Sequence, residues 1–436
     1  MSQKKASDFR YNTGETKVPW AAVGENYNTE DIIALLGFLV QKKGEGYDEA
    51  FATASKAVEE LGKYGRPPGK LSLAGNVAEL EEKAAKYLDT KYVSFVTNAT
   101  HGFEMALKYV NLGPGDEVIV PAITFAATMA YPLGVGAKVV FADVDPRTIN
   151  MDPKDVERKI TKRTKAIIPV HIGGWPVDMD PIMELAKKHN IVVIEDAAHA
   201  YGGMYKGKRL GTIGDFGAFS FHEVKNVTSF GEGGLLVCTN EFGEKLSMAR
   251  FLGLDFSRKI DNWLYDVSAL QGKFGWFAAG NYSTTEIQAF GLIRQMGRID
   301  KILENRRHNA EYLTKRLSIN DAIIPQLLDT DEIQGTHHLY LLQIDPDKAK
   351  GNIQVFKKKL DERGITNIPH FGPLYKFDVL KKLGYDTKEI ERSCPNAEDV
   401  FNNRFTHLPI YGLSKEQLDY MADTILDVVA EMQEGK

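Results

Sequence analysis

The feature that most constrains the fold is an alternation of short apolar runs with longer segments of helical periodicity, from about residue 76 to residue 240. Short apolar runs that are rich in β-branched residues and bounded by turns are typical of buried strands. Strands separated by helical segments predict an α/β fold with a mostly parallel central sheet covered by helices. In such sheets, the loops beyond the carboxyl ends of the strands carry the functional residues.

Strands are predicted in this region at 92–96, 117–120, 138–141, 166–170, 192–195, 217–221 and 234–238, and helices at 78–87, 102–110 and 180–189. From Leu292 a long helical pattern leads into a smaller α/β part, with a strand at 339–344 and helices at 353–363 and 415–431. The segment 41–70 is predicted to form a helix followed by a Pro/Gly turn. We therefore expect an N-terminal helical segment (1–75), a large domain (76–300) and a small C-terminal α/β domain (301–436).

Charge and composition exclude several classes of partner. The net charge of -5 gives no electrostatic basis for binding nucleic acid or an anionic membrane. No apolar stretch approaches the roughly 18 to 20 residues that span a bilayer, and the polar N-terminal sequence lacks the apolar core of a secretory signal. These features predict a cytoplasmic protein. The two cysteines, Cys238 and Cys394, form no C-x-x-C pair, so we expect no metal site or disulfide and two small apolar side chains.

Two carboxylates follow a predicted buried strand in the sequence IVVIEDAAHA, residues 191–200. Glu195 and Asp196 end the strand, and His199 follows after two alanines. A buried carboxylate is unfavourable unless it meets a cation or a strong hydrogen-bond donor. Taken alone, this pattern also fits a helix-capping aspartate or a metal ligand.

A single lysine stands out in the segment 214–240, where an apolar strand leads into Ser220 and Lys225 follows five residues later. A glycine-rich turn, 231–234, comes next. Burial among aromatic and apolar residues lowers the pKa of a lysine, which makes its amine a nucleophile toward an aldehyde. An ordinary solvated lysine is the alternative.

Two further features are weak by themselves. The polar turn 97–101 lies between a strand and a helix, where the free N–H groups of the turn can bind a phosphate at the helix N-terminus. Phe125 follows a predicted strand and offers a flat face to an aromatic cofactor, although an isolated phenylalanine is more often part of a core.

The order and spacing of these features resemble the DegT/DnrJ/EryC1/StrS sugar aminotransferase family of the fold-type-I pyridoxal-phosphate enzymes. The resemblance covers about residues 17 to 430. It rests on TNATHG, PGDEVIVPAITFAAT, IIPVHIGG, IEDAAHA, GAFSFHEVKN, GEGG, GNYSTTEIQA, HLY and HFGPLY. It implies a large domain that binds pyridoxal 5'-phosphate and a smaller C-terminal domain.

The resemblance also implies roles for individual residues. Lys225 would carry the cofactor as a Schiff base and would afterwards move the proton between Cα of the amino donor and C4′ of the cofactor. Asp196 would face the pyridine nitrogen and keep it protonated. His199 would contact the phenolic oxygen, and Phe125 would stack on the ring.

The phosphate would be held by Ala99, Thr100 and Ser220, and by Asn281 from the neighbouring subunit, which implies a homodimer with shared active sites. His370 and Tyr375 match a late motif near the substrate opening only weakly.

Three departures from the family pattern concern the substrate and phosphate sides. Ala99 stands where the family usually has glycine, and His101 where it has a small residue. Ser283 replaces an arginine that lies near the substrate in the family, so the identity of the acceptor stays open. The stretch 255–279, with Trp263 and Trp276, is unusual for the family and is expected to shape the acceptor pocket.

Rival functions are weaker. The dehydratase branch of this fold replaces the lysine with histidine, and one of its groups needs four cysteines for an iron–sulfur cluster. A dinucleotide-binding dehydrogenase would need a G-x-G-x-x-G turn after an early strand. A non-catalytic regulatory protein that binds the cofactor remains an alternative, but it needs neither Lys225 as a nucleophile nor Asp196 as an electron-withdrawing partner.

The resemblance predicts a cytoplasmic aminotransferase that moves an amino group from an amino acid, L-glutamate by analogy, to a keto-sugar that is commonly nucleotide-linked. Pyridoxamine 5'-phosphate would form between the two half-reactions. A non-nucleotide keto-sugar, an eight-carbon keto-sugar acid of the octulosonate type or a cyclitol ketone are alternative acceptors. The product would serve lipopolysaccharide, another surface glycan or aminosugar biosynthesis.

Overall fold

The computed structural model describes residues 27–65, 71–255, 257–258, 260, 265–368 and 371–435. The chain divides into two compact units, Met1–Leu71 with Lys259–Leu264, and Ser72–Arg258 with Tyr265–Lys436. The described residues of the first unit form helices α1 (Thr29–Leu39) and α2 (Tyr47–Gly62). Helix α2 confirms the helix expected within 41–70, whereas the Pro/Gly turn at 66–70 lies outside the described residues. Helix α1 was not predicted, although its capping box at Asn28 is readable in the sequence.

The second unit contains a seven-stranded central sheet. Its strands are β1 (Tyr92–Val96), β2 (Glu117–Pro121), β3 (Lys138–Ala142), β4 (Thr164–Ile167), β5 (Val192–Asp196), β6 (Phe216–Ser220) and β7 (Gly234–Cys238). Their order in the sheet is β1-β7-β6-β5-β4-β2-β3. All neighbours from β6 to β3 pair in parallel, and β7 runs antiparallel to both β1 and β6. The prediction of an α/β fold with a mostly parallel sheet is confirmed.

Helices connect the strands and follow them. They are α3 (Gly75–Leu88), α4 (Ala99–Val110), α5 (Ala127–Gly134), α6 (Pro153–Lys159), α7 (Met179–His189), α8 (Leu246–Arg250), α9 (Glu286–Met296), α10 (Ile299–Leu317), α11 (Pro346–Ala349), α12 (Ile353–Glu362), α13 (Asp378–Lys382), α14 (Thr387–Ser393), α15 (Pro395–Asp399) and α16 (Lys415–Glu434). The predicted helices within 78–189 are confirmed with ends that differ by at most three residues.

Both faces of the central sheet are buried. Along β2, Val118 and Val120 belong to one apolar core and Ile119 to the other, because successive side chains of a strand point to opposite faces. This two-sided burial explains why the strands read as continuous apolar runs rather than as alternating patterns. The polar groups at the ends of the strands are therefore the exceptions that require an explanation.

The long helical pattern after Leu292 forms two helices rather than one, since α9 ends before Gly297 and α10 begins at Ile299. Helix α10 joins two cores. Ile299 and Leu303 pack with the core beneath the central sheet, whereas Leu313 and Leu317 pack with the core of the C-terminal part. The proposed division of the chain at residues 75 and 300 stays a prediction, and α10 continues across the second of these positions.

The C-terminal part has a three-stranded antiparallel sheet of β8 (Ile323–Ile324), β9 (Tyr340–Ile344) and β10 (Phe405–Leu408), in the order β8-β9-β10. Helices α12 and α16 share its apolar core. The strand and helices predicted there are confirmed. Among the described residues, no helix is long and apolar enough to cross a membrane. Both cysteines are buried free thiols, and burial raises the pKa of Cys238 to about 12 and that of Cys394 to about 11.

Candidate active site

Asp196 is the last residue of β5 and lies level with Ala218 of the parallel strand β6. Its carboxylate is buried, and its Oδ1 accepts one hydrogen bond from the N–H of Ala198 at 3.0 Å. Within the described residues, Oδ2 accepts no hydrogen bond. Burial raises the pKa of Asp196 to about 6, against the opposing effects of the Ala198 N–H and of the positive charge of Lys225. The site therefore holds a carboxylate that lacks a full set of partners and favours a cation nearby.

Glu195, its neighbour, points to the other side of β5 and is fully satisfied. It accepts three backbone hydrogen bonds of 2.6–2.8 Å, from the N–H groups of Gly211, Ile213 and Gly214. The ring of His171 lies 3.0 Å from its Oε2. These contacts give Glu195 a structural role in holding the 211–214 turn against the strand.

Lys225 lies in the connection between the antiparallel strands β6 and β7. This connection is closed at its base by the bond from Phe221 N–H to Gly233 O (2.8 Å), and the Lys225 N–H donates to His222 O (2.9 Å). Burial lowers the pKa of Lys225, while the negative charge of Asp196 opposes the shift. A larger fraction of neutral amine at physiological pH makes this lysine a better nucleophile.

The first turn of α4 forms a group of open N–H donors. The Asn98 side chain caps the helix by accepting the N–H of His101 at 3.0 Å. The N–H groups of Ala99 and Thr100 donate to no atom of the described chain, which leaves them available to an anion. Because Ala99 already lies within the helix, its backbone does not require the glycine that the family usually has there.

Ser220 is held beside this turn by the backbone of Gly234. The two residues pair across β6 and β7, and a Cβ on Gly234 would come within 2.7 Å of the Ala99 nitrogen. Only glycine allows this approach, which explains the last residue of the GEGG motif. The predicted phosphate-binding residues Ala99 and Ser220 therefore both lie next to Gly234, and Thr100 follows Ala99 in the first turn of α4.

His199 and Phe125 lie along a row of rings. The ring of Phe371 stacks on buried His199 at 5.6 Å with an interplanar angle of 18°. Phe125 lies edge-on to Phe371 at 6.2 Å and is 61% exposed. Its open face is consistent with a stacking role, which stays a prediction.

Asn281 lies at the surface, where its Oδ1 accepts the N–H of Ser283 at 3.1 Å. Tyr282 between them is buried, with its hydroxyl donating to Glu104 at 2.8 Å and its ring beside His101. This anchoring holds Asn281 outward from its own chain. The proposed contact of Asn281 with the phosphate of a neighbouring subunit stays a prediction.

One expectation about the substrate side requires correction, and another stays a prediction. Tyr375 is fully buried and its hydroxyl donates to Glu398 at 2.6 Å, so it belongs to the core rather than to an opening. Trp276 is 66% exposed on a hairpin that pairs 270–271 with 276–277. That hairpin packs on Tyr109 of α4, where the N–H of Lys273 donates to the Tyr109 carbonyl, and a role of the stretch 255–279 in shaping the acceptor pocket stays a prediction. His370 and Trp263 lie outside the described residues.

Sequence reasoning missed His338, which comes from the C-terminal part. Its Nδ1 lies 2.7 Å from Asn226 Oδ1, next to Lys225, and its ring centroid is 4.5 Å from that of His199. The HLY motif contains this residue, but nothing local in the sequence indicates that its ring reaches a loop more than 100 positions away.

The residues fit pyridoxal phosphate on three points. A buried carboxylate with a raised pKa suits a protonated pyridine nitrogen, a lysine with a lowered pKa suits an aldehyde, and open N–H groups at a helix N-terminus suit a phosphate. In the part of the chain that the structure describes, no group of three or more His, Cys, Asp or Glu side chains is arranged to hold a metal ion.

Comparison with known proteins agrees with this arrangement. GDP-perosamine synthase of Caulobacter vibrioides is 35% identical over 325 residues, which cover 73% of this chain and 82% of that protein. Spore coat polysaccharide biosynthesis protein SpsC of Bacillus subtilis is 34% identical over 373 residues, which cover 83% of this chain and 91% of that protein. The relatives are thus matched over most of their length.

A solved structure shares the fold. Spr1654 of Streptococcus pneumoniae, assigned as a sugar aminotransferase, superposes in its PMP form with a TM-score of 0.73 at 28% identity, covering 84% of this chain and 94% of that one. Its PLP form superposes with a TM-score of 0.72. The family model described as the DegT/DnrJ/EryC1/StrS aminotransferase family matches residues 58–426. With that match over most of its length and relatives at 34% and 35% identity, the chain belongs to the DegT/DnrJ/EryC1/StrS aminotransferase family.

Proposed function

We propose that this protein uses pyridoxal 5'-phosphate bound at Lys225 to transfer an amino group from L-glutamate to a nucleotide-linked keto-sugar. The aminated sugar would serve lipopolysaccharide, another surface glycan or aminosugar biosynthesis. A cytoplasmic location, predicted from the sequence, is part of this proposal. The acceptor class is supported by two relatives, a GDP-perosamine synthase and a spore coat polysaccharide biosynthesis protein.

The observation that carries the proposal is the position of Asp196 at the end of β5 and of Lys225 in the connection after the neighbouring strand β6, close enough for their charges to affect each other. One buried carboxylate has a raised pKa, one amine has a lowered pKa, and each affects the other electrostatically. Groups whose environments push their pKa values toward neutrality cluster at functional sites. Within the described residues, the Asp196 carboxylate accepts one hydrogen bond and the Lys225 amine makes none, so stability alone does not explain their burial.

Bound at this place, pyridoxal phosphate supplies an aldehyde that takes up the amino group and a ring that withdraws electrons from the Cα of the donor. The carboxylate of Asp196 holds a proton at the ring nitrogen, which strengthens that withdrawal. The amine of Lys225 moves the proton between Cα of the donor and C4′. Phe125 and His199 orient the ring, and the first turn of α4 with Ser220 binds the phosphate.

The proposal includes a homodimer with shared active sites. Asn281 is displayed at the surface by the buried anchor of Tyr282. Exposed apolar side chains occur on the loop after Lys225 and on α9, among them Phe230 (56%) and Phe290 (53%). Such a surface is consistent with a subunit contact. Sedimentation of the purified protein tests this part.

The cofactor link is tested by reducing the pyridoxal-phosphate-loaded protein with borohydride and mapping the modified peptide. We expect the label on Lys225. The Lys225→Ala variant should lose both the label and the visible absorption of the bound cofactor. Lys206→Ala, at an exposed lysine paired with Asp180, is the matched control and should keep both. Label at another lysine, or full turnover by Lys225→Ala, would contradict the proposal.

The acceptor is tested with a panel of nucleotide-linked keto-sugars, free keto-sugars, an eight-carbon keto-sugar acid and a cyclitol ketone, with L-glutamate as donor. Formation of the keto acid together with an aminated product identifies the acceptor. Amination of the nucleotide-linked sugars supports the proposal. Amination of another class alone would replace the acceptor, and tight cofactor binding without turnover on any member would favour a regulatory role.

A further inference from the structure

A second histidine lies beside the lysine-bearing loop. His338 precedes β9 in the C-terminal part, and its Nδ1 is 2.7 Å from Oδ1 of Asn226, the residue that follows Lys225. A carbonyl oxygen can only accept, so Nδ1 carries the proton and donates. The ring of His338 also lies against the ring of His199, with 4.5 Å between the two ring centroids and an interplanar angle of 30°. His338 thus contacts two residues of the predicted cofactor site, Asn226 next to Lys225 and His199.

The backbone around His338 is fixed by groups from two other regions of the fold. Arg306 of α10 donates to the carbonyl of His338 at 3.1 Å. Thr336 donates its N–H to Gly174 O at 3.0 Å, and its hydroxyl donates to the carbonyl of His199. The same short segment therefore holds His199 through its backbone and through the ring of His338.

The protonation state of His338 suits this role. Burial lowers the pKa of His338 well below its ordinary value, and the positive charges of Lys225 and Arg306 lower it further. A neutral imidazole has one N–H, and the hydrogen bond to Asn226 uses it. The ring can therefore lie beside Lys225 without placing a second positive charge there.

The preceding residue, His337, provides an internal contrast. Its ring is also buried, but it faces Asp329, with Nε2 2.9 Å from Oδ1, and lies near Trp175. In the part of the chain that the structure describes, its ring makes no hydrogen bond or ring contact with Lys225, Asn226 or His199. Of two adjacent buried histidines, one supports the C-terminal part and the other reaches the site.

We propose that His338 is a positioning residue for transamination, holding Asn226 by a hydrogen bond and His199 by ring contact so that the Lys225 amine stays aligned. The inference rests on the proposed function. Small displacements of reacting groups lower rates steeply, so loss of this bond should slow the step in which Lys225 moves a proton. Cofactor attachment should survive, because the residues that bind the cofactor are unchanged.

The experiment compares side chains that keep different parts of His338. The side-chain nitrogen of Asn occupies nearly the position of Nδ1, so His338→Asn can still donate to Asn226. His338→Gln extends past that position, and His338→Phe keeps a ring without a donor. His337→Asn is the matched control.

The measurements are the single-turnover rate of the cofactor absorbance change with L-glutamate alone, the fraction of label on Lys225 after borohydride reduction, and thermal stability. We expect His338→Gln and His338→Phe to slow the single turnover about 10- to 100-fold while keeping label on Lys225. His338→Asn should recover a large part of that loss. His337→Asn should lower thermal stability without slowing the turnover.

Adding Asn226→Ala to His338→Gln should cause little further loss, because both remove the same hydrogen bond. Wild-type turnover rates in His338→Phe and His338→Gln would overturn this inference alone. Equal slowing in His338→Asn and His338→Gln would also overturn it, since the hydrogen bond would then be irrelevant. Absence of label at Lys225 in the unmodified protein would instead overturn the proposed function.

Discussion

Glu195 and Asp196 stand side by side at the end of β5, yet the fold surrounds their carboxylates in opposite ways. Glu195 accepts three backbone hydrogen bonds and contacts His171. Asp196 accepts one from Ala198, and burial raises its pKa to about 6. Both carboxylates are buried, so burial alone does not distinguish a structural acid from a functional one. The number of hydrogen-bond partners distinguishes them.

Two helix N-termini repeat the same contrast. At α3, the Glu286 carboxylate accepts the N–H groups of Ala74, Asn76 and Val77 at 2.6–3.2 Å. At α4, the N–H groups of Ala99 and Thr100 donate to no described atom. One terminus is neutralised by an acid of the same chain, and the other is left open to an external anion.

The largest expected effect concerns the open carboxylate. Asp196→Asn removes the negative charge while keeping an oxygen that can accept the Ala198 N–H. Turnover should fall about 10²- to 10³-fold, because the ring nitrogen loses the charge that keeps it protonated. Steady-state kinetics with the identified acceptor measures this. Turnover close to that of the unmodified protein would end the functional distinction between the two acids.

The same substitution should stabilise the cofactor-free protein at neutral pH. The folded-state pKa of Asp196 lies above the ordinary value of 3.8 at about 6, so deprotonation favours the unfolded chain. The loss of folding stability caused by deprotonated Asp196 is absent below pH 3.8 and grows as the pH rises to about 6. Above that pH the loss is complete, at no more than roughly 3 kcal/mol. Urea unfolding of the unmodified protein and Asp196→Asn at acidic and neutral pH measures this difference.

Glu195→Gln is the matched control for that experiment. The new side-chain amide would place its own N–H donors against backbone N–H donors that the Glu195 carboxylate accepts in the unmodified protein. This variant should therefore be destabilised. A stabilising effect of Glu195→Gln, or a destabilising effect of Asp196→Asn at neutral pH, would reverse the comparison.

The smallest effect concerns the capped helix. Glu286→Gln should lower the free energy of unfolding by about 1–2 kcal/mol, because α3 loses a charged acceptor at its N-terminus. Pyridoxal-phosphate affinity should not change, since Glu286 contacts α3 and not α4. Equilibrium unfolding and cofactor titration separate the two. A weakened cofactor affinity would show that the two termini are coupled.

Much of the fold was predictable because the strands are buried on both faces and their apolar runs carry little ambiguity. Ser220, Lys225 and Gly234 could be placed at a strand end from local sequence alone, and the structure brings Ser220 to Ala99. The break between α9 and α10 was missed because Gly297 interrupts a continuous helical period by only two residues.

Errors and omissions concentrate where long-range contacts decide. Tyr375 matches a family motif near the substrate opening, but the structure buries it in the core, where its hydroxyl donates a hydrogen bond to Glu398. His337 and His338 are identical side chains in neighbouring positions, and only packing sends one toward Asp329 and the other toward Asn226. No local pattern separates them.

The sequence by itself determined the α/β class, the parallel strands and the residue types that accompany a family motif, because periodicity and motif spacing are local properties of the chain. The tertiary structure alone decided which of two adjacent carboxylates lacks partners, which helix terminus stays open and which histidine reaches the lysine loop. Those outcomes depend on where distant backbone N–H groups end after the strands pair and the C-terminal part packs. Hydrogen-bond satisfaction is a property of the assembled fold, and sequence distance carries no information about it.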